Sequence, residues 1–386
     1  MAQQKAPTAS ITRILNTRAL GKRLMATSAM TFAGMLAMSA SAYAVGQFET
    51  PTGGTFAEGT TGTIGTTGAN NQILNVTTNQ QRTVMDWTTF NIGTGATANF
   101  NQLNTSSTTI NRVNGSVDPT QILGELNSNG KIVILDPNGV FFGAGSKVSV
   151  GSILASTGEI GNLNHFLKGG NDPLQLNNLD AKGKGVTIEN RGNITTTENG
   201  GLVALVAPNV KNAGIITAQL GKVILASGKK VSVDLYGDGL ISIASDELEK
   251  SLVENSGTIT ANGGTVVMTA GAAKKVVDSV VNLSGVVQAS EFKNVGGKIV
   301  LGGGSTGKVD VKNNATVKAT TIEFGSDVYT NNKTLSVEAQ TIDLNAKFYE
   351  GTYLFGIQTG NRLMGQNKLN FNAERVNILR VCTHLI

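Results

Sequence analysis

An all-β chain wound as a right-handed parallel β-helix with an N-terminal β cap is the architecture this sequence predicts, and three observations predict it. Glycine is abundant, at 48 of 386 residues, while proline is scarce at six and aromatics make up 5%. Such a chain needs many tight turns and builds its core from Val, Ile, Leu and Ala, residues that suit sheet. Its apolar residues come in short alternating runs bounded by glycine, too short to bury a face alone. Finally, a turn motif recurs at a fixed interval. Glu189-Asn190-Arg191-Gly192 is followed after 22 residues by Lys211-Asn212-Ala213-Gly214, then after 43 by Glu254-Asn255-Ser256-Gly257, with a weaker copy at Asn282-Leu283-Ser284-Gly285. Reading 43 as close to twice 22 gives one period of about 22 residues, enough for three short strands and three turns per coil. Coils of that size bury their inner faces only by stacking. A β-sandwich accounts for the strand spacing but not for the recurrence of Asn-x-Gly.

Taken in order, residues 1–44 hold Lys5, Arg13, Arg18, Lys22 and Arg23 and no acidic residue, which is the whole formal surplus of +5; the rest of the chain is neutral. An apolar stretch from Leu24 to Met38 follows, then Ala42-Tyr43-Ala44, a small-x-small cleavage pattern. This reads as an extended Sec signal peptide. It is interrupted by Thr, Ser and Gly and falls short of the roughly 20 apolar residues a membrane span requires. Residues 45–175 must supply the cap, because a solenoid with a bare end presents open strands. Within them Ile132–Leu135 and Val140–Phe142 flank Asp136-Pro137-Asn138-Gly139, residue types suited to a tight four-residue turn. Residues 176–345 carry the repeats, each Asn-x-Gly strand followed by a glycine-led second one, as at Gly201-Leu202, Gly221-Lys222, Gly264-Thr265 and Gly297-Lys298. In the second of these, Val223 and Leu225 should face inward and Lys222 and Ile224 outward. Residues 346–386 form a tail without pattern.

Neutrality of the mature chain excludes nucleic acid as a partner, since phosphate binding needs clustered surplus cations. Cys382 stands alone, so no internal disulfide is possible. His165 and His384 are the only histidines, and neither has a metal-spaced partner. No catalytic residue, metal or cofactor is assigned. Gly302-Gly303-Gly304-Ser305-Thr306-Gly307-Lys308 mimics a phosphate loop, but Val309 stands where Ser or Thr is required and a strand follows where a helix should begin. Trp87, Phe90, Phe141 and Phe142 read as cap core. A carbohydrate-active β-helix enzyme would need carboxylates converging on one face; Asp234 and Asp238 flank Tyr236 without a matching acid one coil away.

The stretch from Asn71 to about Thr157 resembles the secretion domain of two-partner secretion exoproteins, the filamentous haemagglutinin family. The likeness is carried by Asp86-Trp87 with Phe90-Asn91-Ile92-Gly93, Ile110-Asn111-Arg112-Val113, Asp118-Pro119 with Ile122-Leu123-Gly124, and Asp136-Pro137-Asn138-Gly139-Val140, the local form of that family's Asn-Pro-Asn-Gly-Ile motif. The family's Asn-Pro-Asn-Leu motif is missing, the matching region reading Phe100-Asn101-Gln102-Leu103-Asn104, which points to the high-molecular-weight adhesin branch. Family members usually continue for many more repeats, so a short or truncated member is expected.

The resemblance implies that residues 45–175 are a secretion domain engaged by the periplasmic domains of an outer-membrane barrel transporter. The chain would then cross unfolded and fold outside a Gram-negative cell, as a secreted or surface protein. It implies an adhesin-like binding protein contacting a host receptor or glycan. The alternative is a protein that captures haem or a haem carrier, for which Gly161 to Asp180 and Ser245 to Leu252 would be the binding insertions. Asn111, Arg112, Asp136, Pro137, Asn138 and Gly139 are the candidate residues, serving transporter recognition, the fold of the cap, or both.

Overall fold

The computed structural model describes residues 44–183, 185–236, 241–244, 251–270, 279–290, 298–302, 308–330, 333–344, 346–349, 352–357, 363–364, 371–372 and 375–380. The signal-peptide reading, Asp238, most of the glycine run after Leu301, Cys382 and His384 fall outside these residues.

From Ile73 the chain winds as a parallel β-helix with three faces, visited in turn. Face one stacks Ile73–Thr78, Thr97–Asn101, Glu125–Ser128, Lys147–Val150, Asn193–Thr196, Ile215–Thr217, Thr258–Thr260 and Val286–Ala289. Face two stacks Arg82–Trp87, Thr108–Val113, Lys131–Leu135, Ser152–Ser156, Leu202–Val206, Lys222–Ser227, Thr265–Ala270 and Lys298–Leu301. Face three runs from Thr120–Ile122 and Val140–Phe142 through Thr187–Asn190, Asn209–Asn212, Ser251–Asn255 and Ser279–Leu283. Further down, Ala315–Phe324 and Thr334–Leu344 each cross faces one and two as single strands, and pairing continues to Arg375–Arg380. Parallel pairing of strands one coil apart rules out the sandwich.

Inward columns account for the alternation in the sequence. On face one Leu74, Ala98, Leu126, Val148, Ile194, Ile216, Ile259 and Val287 stand level on successive coils, all buried. On face two Ile153, Val203, Val223, Val266 and Ile299 do the same. Each Val, Leu or Ile side chain among them contributes about 1.5–3 kcal/mol by leaving water.

The recurring turn has two physical reasons. Asn190, Asn212 and Asn255 are fully buried and bond to one another: Asn190 Nδ2 donates to Asn212 Oδ1 at 2.7 Å, and Asn212 Nδ2 to Asn255 Oδ1 at 2.7 Å. The Asn190 carbonyl oxygen of the side chain also accepts from the Gly192 amide at 3.0 Å, fixing the bend. The glycines stack so closely that a Cβ on Gly214 would meet the Gly192 carbonyl oxygen at 2.2 Å, and one on Gly257 the Gly214 oxygen at 2.1 Å. Only a residue without a side chain fits that approach.

The register corrects one inference from spacing. Asn212 pairs directly with Asn255, so 43 residues make a single coil carrying an excursion, not two coils. That excursion and an earlier one leave at the same corner, between faces two and three. Glu159–Ile160, Leu174–Asn177, Lys230–Val233 and Ile241–Ala244 form a separate four-stranded antiparallel sheet, with a five-residue helix, Leu163–Leu167, between its first two strands. This lateral sheet lies over the outside of face two. There the outward residues Val84, Ile110, Val133, Leu154, Ala204 and Ile224 pack in one cluster with Phe166, Leu174, Leu176, Val231, Val233 and Leu235 of the excursions. Ile224, expected to face solvent, is therefore 1% exposed. The two supposed insertions also separate: much of Gly161 to Asp180 belongs to the lateral sheet, while Ser251 and Leu252 are in a face-three strand.

The cap forms from antiparallel strands laid on the first coil. Thr55–Ala57 pairs with Val84 to Asp86, and Gly62–Thr67 with Ile73–Thr78. They occupy the strand edges that the first coil would otherwise leave open.

Candidate functional site

Asp136 to Gly139 occupy the corner from face two to face three one coil above the first excursion. The Gly139 amide donates to the Asp136 carbonyl at 3.0 Å, closing the turn. Gly139 has φ +111, and a Cβ there would meet the Thr187 carbonyl oxygen at 2.5 Å. The Asp136 carboxylate is fully buried. Its Oδ2 accepts from the amide and hydroxyl of Thr120 at 2.8 and 2.7 Å, and its Oδ1 from the amide and Nδ2 of Asn138 at 2.9 and 3.1 Å. Burial pushes the Asp136 pKa up, and these four donors offset part of that rise. Asn138 Nδ2 also donates to the Ser116 carbonyl at 3.0 Å, tying the corner to the loop before Thr120. Pro137 faces outward, with its ring on a cleft.

Asn111 and Arg112 are neighbours on one face-two strand and point opposite ways. Asn111 faces inward and is fully buried; its Oδ1 accepts from Trp87 Nε1 at 2.9 Å, and its Nδ2 donates to the Val133 carbonyl at 3.2 Å. It satisfies the indole of a Trp packed edge-on against Phe90, 5.5 Å between centroids. Arg112 faces outward opposite Asp86 and forks onto it, Nε to Oδ1 at 2.7 Å and Nη2 to Oδ2 at 2.9 Å. Both terminal nitrogens also reach Glu58 Oε1 at 3.2 Å, and Glu58 sits in the cap turn at φ +55. Partial burial opposes the Arg112 charge, but Asp86 and Glu58 outweigh it and raise its pKa. The guanidinium thus pins the cap to the second coil.

Five of the six candidates fall into two groups, and Gly139 acts through its backbone alone. Arg112 and Pro137 meet on one cleft of about 400 Å³, lined also by Ile110, Leu135 and, from the lateral sheet and helix, Ile160 and Leu163. Asn111, Asp136 and Asn138 spend their polar atoms on internal bonds. Among the residues the sequence reading did not single out, Thr120 holds the Asp136 carboxylate and Glu58 holds Arg112. Asp86 one coil before Arg112 was the available signal, an opposite charge at coil spacing; nothing in the sequence marks Glu58 or Thr120. No group of three or more His, Cys, Asp or Glu among the described residues is arranged to hold a metal ion. His165, on the short helix, faces Asp172 at 3.0 Å.

Comparison with known proteins gives three findings. A family model described as the TPS secretion domain matches residues 48–319. The heme/hemopexin-binding protein of Haemophilus influenzae is 29% identical over 309 residues, covering 76% of this chain and 31% of that protein. The heme/hemopexin-binding protein of Haemophilus influenzae strain KW20 / Rd is 28% identical over 306 residues, 77% of this chain and 30% of its own length. The chain therefore spans about a third of these curated relatives. In fold it is similar to the crystal structure of the HMW1 secretion domain from Haemophilus influenzae, with a TM-score of 0.60 at 23% identity over 85% of this chain and 83% of that one.

Proposed function

The chain belongs to the TPS secretion-domain family, that of two-partner secretion, and from that premise we propose that it is an exoprotein segment exported through a dedicated outer-membrane barrel transporter after Sec export, reaching the cell surface or medium of a Gram-negative bacterium. The observation carrying this is the match over residues 48–319, which spans cap, corner, lateral sheet and most of the coils. The protein acts by binding rather than by catalysis.

Two binding roles follow from the family, adhesion to a host receptor or glycan and capture of haem or its carrier. The second is supported by the names of two relatives that each align over about three quarters of this chain. The corner residues lie in the coils and not in the cap, and serve the fold of the solenoid corner in this account; the transporter's periplasmic domains read surface beside them, where Pro137 and Arg112 border the cleft.

Export is tested by expressing the full chain with and without a two-partner secretion transporter from the same bacterium. Release that requires the transporter supports the reading, and equal release without it refutes it. Capture is tested by passing the released protein over immobilised haem-loaded hemopexin and over glycan arrays; retention by glycans alone would favour the adhesin role.

A further inference from the structure

The lateral sheet is joined to the coils in an unusual way. Its four strands pair only with one another. Among the described residues a single backbone bond, Thr157 N to Val206 O at 3.3 Å, links the start of the first excursion to a coil strand. Everything else holding it down is side chain. One part is the apolar cluster on face two. The other is a set of cations reaching up from the coils. Arg82 lies between two rings of the excursions, its guanidinium carbon 4.8 Å from the Phe166 centroid and 4.7 Å from that of Tyr236. It donates to the carbonyls of Phe166 and Gly170 and to Asn171 Oδ1. Lys131 Nζ donates to the Leu235 carbonyl at 2.9 Å and sits 4.2 Å from the Tyr236 ring. Thr108 Oγ1 and the Tyr236 hydroxyl are 2.8 Å apart. Tyr236 is thus the point where three successive coils meet the excursions.

We infer that the lateral sheet is a lid, able to lift from face two as one unit while the coils stay paired, and that Tyr236 is its latch. The three parallel ladders of the solenoid contain none of its strands, so lifting it leaves them whole. Both excursions start from one corner, so one hinge line serves both, and they pair with each other at Leu174 and Val233. The polar side-chain anchors that join them to the first three coils span 84 to 128 residues of chain, against about one coil for each rung, so they close later than the rungs beneath them when a chain folds from its N-terminus. Opening it uncovers a continuous apolar strip on successive coils, from Val84 to Ile224. The cleft of about 400 Å³ between Ile160 and Leu163 on one side and Ile110 and Leu135 on the other marks where the closed lid does not seal. The lid depends on the packing alone and not on the export reading.

Native-state hydrogen exchange on the mature full chain tests it. Amides of Leu174–Asn177 and Lys230–Val233 should open together and exchange at least tenfold faster than those of Lys131–Leu135 and Ser152–Ser156. Tyr236→Ala should speed lid exchange roughly tenfold more, raise binding of the apolar dye anilinonaphthalene sulfonate, and leave rung amides unchanged. Equal protection of lid and rungs in the parent protein, or rungs that lose protection in step with the lid in Tyr236→Ala, would overturn the inference. If that variant does not fold, the parent comparison decides alone.

Discussion

Replacing Asn212 by Ala removes the middle of the buried asparagine column. Asn190 Nδ2 loses its acceptor and Asn255 Oδ1 its donor, both at 2.7 Å in the parent, and both stay buried because the apolar columns on either side are unaffected. Each stranded group costs about 1–3 kcal/mol. Loss of the side-chain volume adds a smaller cavity term. The expected destabilisation is about 2–6 kcal/mol, which at an m value of about 3 kcal/mol per molar urea lowers the unfolding midpoint by roughly 1–2 M. Far-UV circular dichroism on the released protein in a urea series reads this out. Lys211→Ala is the control, one residue away, outward on the same strand, and should move stability by no more than about 0.5 kcal/mol. An Asn212→Ala protein within that margin of its parent would show that the column is not a source of stability and that the Asn-x-Gly turn is held by glycine packing alone.

Val223→Asp and Ile224→Asp should each cost several kcal/mol, since one faces the solenoid core and the other the lid, while Lys222→Asp leaves the melting temperature within a few degrees; a harmless Ile224→Asp would mean the lateral sheet does not cover face two. Gly139→Val should abolish the protease-resistant released form, because its Cβ meets the Thr187 carbonyl at φ +111, whereas Asn138→Ala keeps the turn and loses its tether to Ser116 and one of the four bonds to Asp136; equal release of the two variants contradicts this. The raised pKa of Asp136 favours its protonated form in the folded protein, so the stability it contributes is complete below the ordinary carboxyl value of the unfolded chain and is lost as pH rises through the higher folded value. Thermal melts from pH 3 to 7 should therefore fall more steeply for the parent than for Asp136→Asn, and parallel profiles would show that burial does not control this carboxyl.

Much of the solenoid could be read in the sequence because its turns repeat a local requirement. Glu189, Lys211, Glu254 and Asn282, matched by motif alone, stand level on four consecutive coils. The lateral sheet could not be read, because its strands alternate like any others and the residues it rests on look solvent-facing. Ile224 sits between two inward positions, and the lateral-sheet cluster that includes Val231 and Val233, bent back by an excursion, takes it from water. The anchors are long-range: nothing near Lys131 in the chain anticipates the Leu235 carbonyl, 104 residues on. The corner showed its turn through Pro137 and Gly139, which act on their own backbone. Asp136 showed only half of its role, since its partner Thr120 lies on the face-three strand one coil earlier.

The corner between faces two and three gives the fold a port for added sequence. Four residues suffice there after Leu135, yet the same place admits the long detour between Ser156 and Thr187 and another after Ser227, and the strands on either side still meet level with the coil above. Chain length between rungs is consequently free to drift while the interior stays in step. A lineage can lengthen, shorten or exchange what leaves this port without retuning a single inward side chain, whereas the glycine corners, closed by a neighbouring carbonyl about 2 Å from any added carbon, admit no such change. Sequence grafted by design belongs at the same opening, beginning with the short Ala207-Pro208 connection, where a coil passes between the two detours with none of its own.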